Sequence, residues 1–271
     1  MNTAAPRIAV LAASPAWRTI DFISDLHLHV GDAATFEAWQ NYLANTPADA
    51  VVILGDLFEV WVGDDAAQPP GFEFNCGLIL AAAASRHDVF FMHGNRDFLV
   101  GEAFLAASGM QVLQDPTALE FAGQRWLLSH GDALCLDDVE YQKYRLMVRN
   151  PAWQQAVLAR SLAERRAFAR EIREQGSREG DNGPTDYADV DAAAARVWLS
   201  AAGAATLIHG HTHKPGEHEL GVSSSPADEH PGAGAPELRR VVLSDWDAAA
   251  QPPRAQVLRL SADGLQRIDI A

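Results

Sequence analysis

The sequence predicts an α/β protein with a mainly parallel inner sheet, and three observations carry that prediction. Five short apolar runs each stop at a polar group. They are Thr19 to Ser24 before Asp25-Leu26-His27, Val51 to Leu54 before Gly55-Asp56, Asp88 to Met92 before His93-Gly94-Asn95-Arg96-Asp97, Arg125 to Ser129 before His130-Gly131-Asp132, and Ala205 to Ile208 before His209-Gly210-His211-Thr212-His213. Short apolar runs closed in this way read as buried strands whose carboxyl ends expose the polar residues. Segments with apolar residues at helical spacing lie between the early runs, as parallel crossovers require. Finally, 48% of the 271 residues are apolar, which supports a sizeable core in one domain.

Taken in order, residues 1–18 hold one modest apolar patch, Ile8 to Ala13, with Pro15 after it. The patch is too short to span a bilayer and poor as a signal peptide, so this stretch is read as a loose tail. Thr35 to Asn45 sets Phe36, Trp39 and Tyr42 or Leu43 on one helical face, and Pro47 stops it. Phe72 to Ser85 forms the second helix, and Gly101 to Ser108, closed by Gly109, the third. After Asp138 the alternation breaks. A helical insertion is expected over 138–200, first Val139 to Arg149, then a long helix opened by Pro151 and running through Gln175. From Asp138 to Gly180, nine basic residues face six acidic ones, a cationic and amphipathic patch on an acidic chain. Asp189 to Ala201 reads as a last helix, Gly216 to Pro236 as a flexible loop, and Arg239 to Ser244 with Gln256 to Leu260 as a closing pair of strands.

A net charge of −15 argues against general binding to nucleic acid or to anionic bilayers. The only cysteines, Cys76 and Cys135, have no spacing that suggests a disulfide framework or a zinc-thiolate site, which fits a cytoplasmic protein. No segment is long and apolar enough to span a membrane, so any membrane contact is expected to be peripheral. No protein partner is inferred.

Singly, the polar groups at the strand ends are weak signals. Together, Asp25, His27, Asp56, Asn95, His130, His211 and His213 supply seven oxygen or imidazole donors at five strand ends. One ion seldom needs more than six donors, so seven of mixed type fit two ions sharing a carboxylate, for which Asp56, alone on its strand end, is the candidate. Without thiolates the set suits Mn²⁺, Fe²⁺ or Zn²⁺ in open coordination. Two such ions about 3.5–4 Å apart activate water and clamp the oxygens of an in-line displacement at phosphorus. Arg96 is placed to neutralise phosphoryl charge, and Asp97 to orient Arg96 or a donor. The competing reading of all seven as structural turn residues is disfavoured by their conjunction. It is the preferred reading for His29, His87, His218 and His230, while His93 and His209 are expected to pack near the site without ligating.

In this order, Asp25-x-His27, Gly55-Asp56, Gly94-Asn95, His130-Gly131-Asp132 and Gly210-His211-x-His213 resemble the five blocks of the calcineurin-like metallophosphoesterases. The resemblance implies an αββα sandwich of two mixed sheets with a helical lid. The fuller blocks Gly55 to Trp61, Gly94 to Leu99, His130 to Asp138, Tyr141-Gln142 and Ile208 to Pro215 are similar to the branch that acts on a UDP-linked diacylated glucosamine in lipid A synthesis. Generic members carry His rather than Arg after the Asn. The resemblance covers about Phe22 to Leu260 and implies Mn²⁺-dependent hydrolysis of the substrate pyrophosphate at the α-phosphorus, releasing UMP and the acylated sugar 1-phosphate. It implies that Asp25, His27, Asp56 and His213 hold one Mn²⁺ and that Asp56, Asn95, His130 and His211 hold the other. Arg96, Asn95 and His211 are the implied catalytic residues, and Asn95, Arg96, Asp138, Arg173, Ser177 and His211 the implied substrate contacts. The insertion corresponds to a lid over the acyl chains, at the cytoplasmic face of the inner membrane. It departs from the pattern at Gly176, Gly180 and Gly183, where the branch usually places Ser, Asn and Lys, and Ser177 stands beside the first of these. The alternatives are a dinuclear metallophosphoesterase for another phosphodiester or nucleoside diphosphate derivative, and a non-catalytic scaffold without metals. The complete donor set disfavours the scaffold.

Overall fold

The computed structural model describes residues 6–179, 188–222 and 236–270, with residues 172–179 described as backbone alone. The apolar runs found in the sequence are strands. β2 (Thr19–Ile23), β3 (Ala50–Leu54), β4 (Asp88–Met92) and β5 (Gln111–Leu113) lie parallel in one sheet, and β11 (Gln256–Ser261) and β12 (Gly264–Asp269) extend it antiparallel beyond β2. The second sheet contains β1 (Ala9–Ala12), β6 (Thr117–Phe121), β7 (Gln124–Ser129), β8 (Thr206–His209), β9 (Gly216–Val222) and β10 (Glu237–Val242), in the order β1-β6-β7-β8-β10-β9.

Both faces of the central strands are apolar because both are covered. On one side, Ile23, Val51, Ile53, Val89 and Phe91 pack against Trp39 and Leu43 of α1 (Ala33–Asn45), Leu80 of α2 (Phe72–Ala84) and Phe104 of α3 (Glu102–Ser108). The alternate residues Phe22, Val52, Leu54, Phe90 and Met92 turn inward and meet Leu119, Leu128, Ile208 and Val241 of the second sheet. The outer face of that sheet is covered by α7 (Ala192–Ala202), whose Ala195, Trp198 and Leu199 pack on Leu127 and Leu207. The layers are therefore helix, sheet, sheet, helix, as the family resemblance implies. Caps and ties fix the ends. Asp32 accepts from Thr35 N at 3.0 Å to start α1, and Gly109, at φ 71°, ends α3. Asp21, fully buried on β2, accepts from Arg259 of β11 at 2.7 and 2.8 Å and from the hydroxyls of Tyr42 and Thr46.

Four expectations are corrected. The supposed loose tail contributes β1, because Ala9 to Ala12 add in parallel to Thr117 to Glu120 at the edge of the second sheet. The loop expected from Gly216 begins as β9, whose antiparallel register with β10 covers Gly216 to Val222. The expected closing pair of strands does not pair, since β10 joins β8 and β9 while β11 joins β2 and β12 in the other sheet. The insertion holds three helices before residue 180, α4 (Val139–Val148), α5 (Pro151–Leu158) and α6 (Leu162–Glu179), and α7 is a layer of the sandwich rather than part of a lid.

The extra break in the insertion has a local cause. Ser161 and Glu164 form a reciprocal cap, with Ser161 N and Oγ donating to Glu164 Oε2 at 2.9 and 2.6 Å and Glu164 N donating to Ser161 Oγ at 3.3 Å. One turn on, the buried Arg165 donates to the carbonyl of Val62 and to the Asp65 carboxylate, pinning α6 to the segment after β3. Gly63, at φ 123°, lies under this guanidinium, where a Cβ would overlap it. Both cysteines are buried, and burial raises both thiol pKa values, that of Cys135 to about 12. Among the described residues no helix is long and apolar enough to cross a membrane.

Candidate metal centre

All seven predicted donors stand just beyond the carboxyl ends of β2, β3, β4, β7 and β8, inner strands of the two sheets. The strands stop because the chain turns sharply there. Asp25, His27, Asp56, His211 and His213 all have positive φ, between 48° and 68°. Asp and His tolerate this region better than β-branched residues, but each pays a strain that the surroundings must hold. The loops are stitched to one another. Asp25 N donates to Gly55 O at 3.1 Å, His27 N to Asp56 O at 3.0 Å, Gly210 N to His130 O at 3.0 Å, and His211 N to both Asp25 oxygens at 3.1 and 3.0 Å. Gly94 and Gly210 are required by space, because a Cβ on the first would overlap Asp56 and on the second Asp25 and Ser24.

The donors converge as two neighbouring groups. In the first, His27 Nε2 lies 3.3 Å from His213 Nε2, and His213 Nε2 lies 3.4 Å from Asp25 Oδ1. In the second, Asn95 Oδ1 lies 2.9 Å from both His130 Nε2 and His211 Nδ1. Asp56 stands between them, its Oδ2 4.0 Å from His27 Nε2 and its Oδ1 3.8 Å from His130 Nε2. Asp25, His27 and His213, and likewise Asp25, Asp56 and His130, offer ligand atoms within 4.8 Å of one another. Asp25, Asp56 and His130 are almost wholly buried.

The electrostatics follow from packing carboxylates and imidazoles together. Burial opposes the charge of Asp25, yet the imidazoles of His213, His130 and His27 outweigh it and hold the carboxyl below its usual range. Burial likewise works against a charged His130, but Asp56, Asp132 and Asp25 lift it to about 9. His211 is pushed down to about 4 by burial and by His130.

Several supports were invisible or only half visible in the sequence. Ser24 Oγ donates to Asp25 Oδ2 at 2.5 Å, Glu59 Oε2 lies 3.0 Å from His27 Nδ1, and Leu54 O lies 2.8 Å from His130 Nδ1. Asp97 accepts from Gly94 N and Leu57 N, each at 2.8 Å, and so joins the loops of Asn95 and Asp56. Asp132, fully buried, accepts from Tyr141 Oη and Arg145 Nε of α4, each at 2.8 Å. The motif spacing had marked Asp97 and Asp132. Nothing local to the sequence marked Ser24, because its partner is its own neighbour.

The remaining predicted site residues divide. Arg96 enters the site, its N donating to Asp56 Oδ1 at 2.8 Å and its Nη1 4.0 Å from Glu59 Oε1. Asp138 is exposed and caps α4 by accepting from Tyr141 N at 2.9 Å. The side chains of Arg173 and Ser177 lie outside the described residues. As expected, His93 and His209 sit beside the cluster on backbone carbonyls, those of Val100 and Gly210.

Residues 18–215 match the calcineurin-like phosphoesterase family, and the match spans all five donor blocks. The chain belongs to the calcineurin-like phosphoesterase family. Within it, the chain is 48% identical over 238 residues to a UDP-2,3-diacylglucosamine hydrolase of Chromobacterium violaceum, covering 84% of this chain and 90% of that one. It is 40% identical to the protein of that name from Bordetella pertussis, covering 91% and 93%, and 38% identical to that from Chromohalobacter salexigens, covering 91% and 94%.

A phosphoesterase of this family holds divalent metal, and the residues here fit that requirement. With Nδ1 of His130 facing the Leu54 carbonyl, its neutral form turns a lone pair from Nε2 toward Asn95 Oδ1, itself an acceptor, at 2.9 Å. His27 and His213 likewise bring two imidazole nitrogens to 3.3 Å beside a buried carboxylate. Carboxylate, amide and imidazole gathered this closely are the donors that hard or borderline divalent ions take.

Proposed function

We propose that this phosphoesterase hydrolyses the pyrophosphate of UDP-2,3-diacylglucosamine, yielding UMP and 2,3-diacylglucosamine 1-phosphate, as a step of lipid A synthesis. The observation that carries this reading is the likeness over nine-tenths of the chain to hydrolases named for that substrate, joined to a complete two-group donor set. Asp25, His27, Asp56 and His213 would hold one Mn²⁺, and Asp56, Asn95, His130 and His211 the other. Bound there, two such ions make water nucleophilic near neutral pH and draw charge from the phosphoryl oxygens.

The chain's own groups do the rest. Arg96, half-exposed beside the donors, meets the charge that develops on the α-phosphoryl oxygens, where a planar guanidinium binds in a forked way. His211 stays neutral at working pH and presents a lone pair or an N–H rather than a charge. Asp56 holds the Arg96 backbone N–H, and Glu59 lies 4.0 Å from its guanidinium. Asp138, Arg173 and Ser177 are proposed substrate contacts. The amphipathic insertion suits a substrate with acyl chains. The rings of Trp153 and Phe168 pack tilted with centroids 6.4 Å apart, and a cavity of about 150 Å³ beside α6 is lined by Val60, Trp61, Val62, Glu73, Arg166 and Arg170. The same amphipathic, cationic character supports peripheral residence on the inner leaflet.

The deciding experiment compares hydrolysis of UDP-2,3-diacylglucosamine, UDP-N-acetylglucosamine and a chromogenic phosphodiester, with and without Mn²⁺. Mn²⁺-dependent UMP release from the acylated substrate alone is the expected result. Turnover of the generic diester alone would leave the metal chemistry standing and remove the lipid substrate.

A further inference from the structure

The first helix of the insertion is bonded to the loops that carry the donors. Tyr141 of α4 stacks near His211, with ring centroids 5.5 Å apart and planes 32° apart. Gln142 Nε2 donates to the carbonyls of Asp132 and Cys135 at 2.8 and 3.1 Å, and Arg145 bonds the Asp132 carboxylate two residues beyond His130. Arg149, the C-cap of α4, reaches furthest. One guanidinium nitrogen, Nη2, donates to His93 O at 3.1 Å and to Gly94 O at 2.9 Å, and lies 3.9 Å from Asp132 Oδ2.

The two carbonyls that Arg149 holds belong to the peptides immediately before Asn95. The N–H of Gly94 is held from the opposite side by Asp97 at 2.8 Å, and no Cβ is tolerated at Gly94 because Asp56 occupies that space. The Gly94-Asn95 peptide is therefore fixed at its oxygen by α4 and, one peptide back, at its nitrogen by the core. With backbone rotation removed, the side chain of Asn95 has one direction of approach to His130 and His211. We propose that Arg149 is a positioning residue that sets the Asn95 amide for the second metal site, and that α4 is a fixed wall of the centre rather than a hinged cover. This rests on the two-metal reading above. A charge-assisted donor shared between two carbonyls is the strong kind of hydrogen bond, and partners that orient a metal ligand typically contribute about 10–100-fold to affinity or activity.

The test compares the full-length wild type with Arg149→Met and Arg149→Lys. Mn²⁺ binding to chelator-stripped protein is followed by electron paramagnetic resonance, kcat and KM are measured on the acylated substrate, and circular dichroism checks the fold. Arg149→Met should lower kcat about 10–100-fold with KM held within about threefold, and weaken one of the two Mn²⁺ about tenfold. Arg149→Lys, which keeps a cationic donor but not the reach of the guanidinium, should recover part of both. Wild-type Mn²⁺ binding in Arg149→Met overturns the proposal, as does a loss confined to KM, which would make Arg149 a substrate contact. If Arg149→Met does not fold, Arg149→Lys decides. At least a threefold fall in kcat with weaker Mn²⁺ binding supports positioning, and either wild-type values or a second unfolded protein overturns it. A wild type that binds two Mn²⁺ yet ignores the acylated substrate would sink the lipid reading while the Mn²⁺ titration still judges Arg149.

Discussion

The strand-end loops and the helical insertion secure their functional groups by different means. In the loops the backbone does it. Five donors sit at positive φ, glycines leave room for neighbouring carboxylates, and main-chain bonds tie Asp25 to Gly55 and His130 to Gly210. In the insertion, arginines do it. Arg145 and Arg149 bind α4 to the centre, and Arg165 pins α6 to Val62 and Asp65. A main-chain lattice allows little adjustment, whereas a helix held by a few long side chains can be retuned one residue at a time. The comparison therefore expects loop substitutions to be all-or-none and insertion substitutions to be graded.

The sharpest break would come from the donors. His27→Ala and Asn95→Ala should each lose nearly all turnover while keeping the fold, and retained hydrolysis in either would refute the donor assignment. Gly94→Ala comes next, because its methyl group must displace the Asp56 carboxylate. A fall in kcat on the order of 10²-fold is expected, and near-normal kinetics would show the lattice to be softer than described. Proton competition is of middle size. His130 is raised to about 9 and must shed its proton to ligate, so apparent Mn²⁺ affinity should climb by up to about tenfold per pH unit from pH 6 to 9. The metal-free protein carries the opposite sign. A folded pKa above the unfolded value of about 6.5 lends stability at low pH that is lost as pH rises toward 9. The melting temperature of chelated protein should fall over that window, and a flat profile would count against the carboxylate cage around His130.

Within the insertion, Arg165→Met removes a buried charge-assisted bond and should cost about 1.5–3 kcal/mol of α6 anchoring. Steady-state kinetics should register it as a higher KM with kcat little changed, and an equal loss in both parameters would place α6 in the chemistry instead. Ser161→Ala, which removes a cap, is the smallest at about 1 kcal/mol, read by thermal melting. A null result there would mean that packing alone ends α5.

The same contrast explains what could be read from the sequence. The strands and the convergence of the seven candidate donors were legible because a strand that ends in Gly-Asp or Gly-His writes burial and a polar strand end into adjacent residues. β1 and β9 were not. An edge strand such as Ala9 to Ala12 is paired on one side only, and its burial alternates between partial and exposed, so its apolar signal is short. The assignment of β10 and β11 to different sheets depends on distant partners that no local pattern encodes. The break at Ser161 was written in the chain as a capping pair, but helical spacing on both sides concealed it. The contacts of Arg149 and Arg165 cross 55 and 103 residues, a separation over which a charged helix residue cannot be told from a solvated one.

The two sealed cysteines have a practical consequence. A thiol reacts as its thiolate, and burial keeps Cys76 and Cys135 protonated at neutral pH and away from reagents. The chain is in effect a blank background for thiol chemistry. A single cysteine placed at the exposed Ala163 on α6 would take a fluorescent or spin label by itself, and whether α6 stays in place could be tested without first removing any native residue.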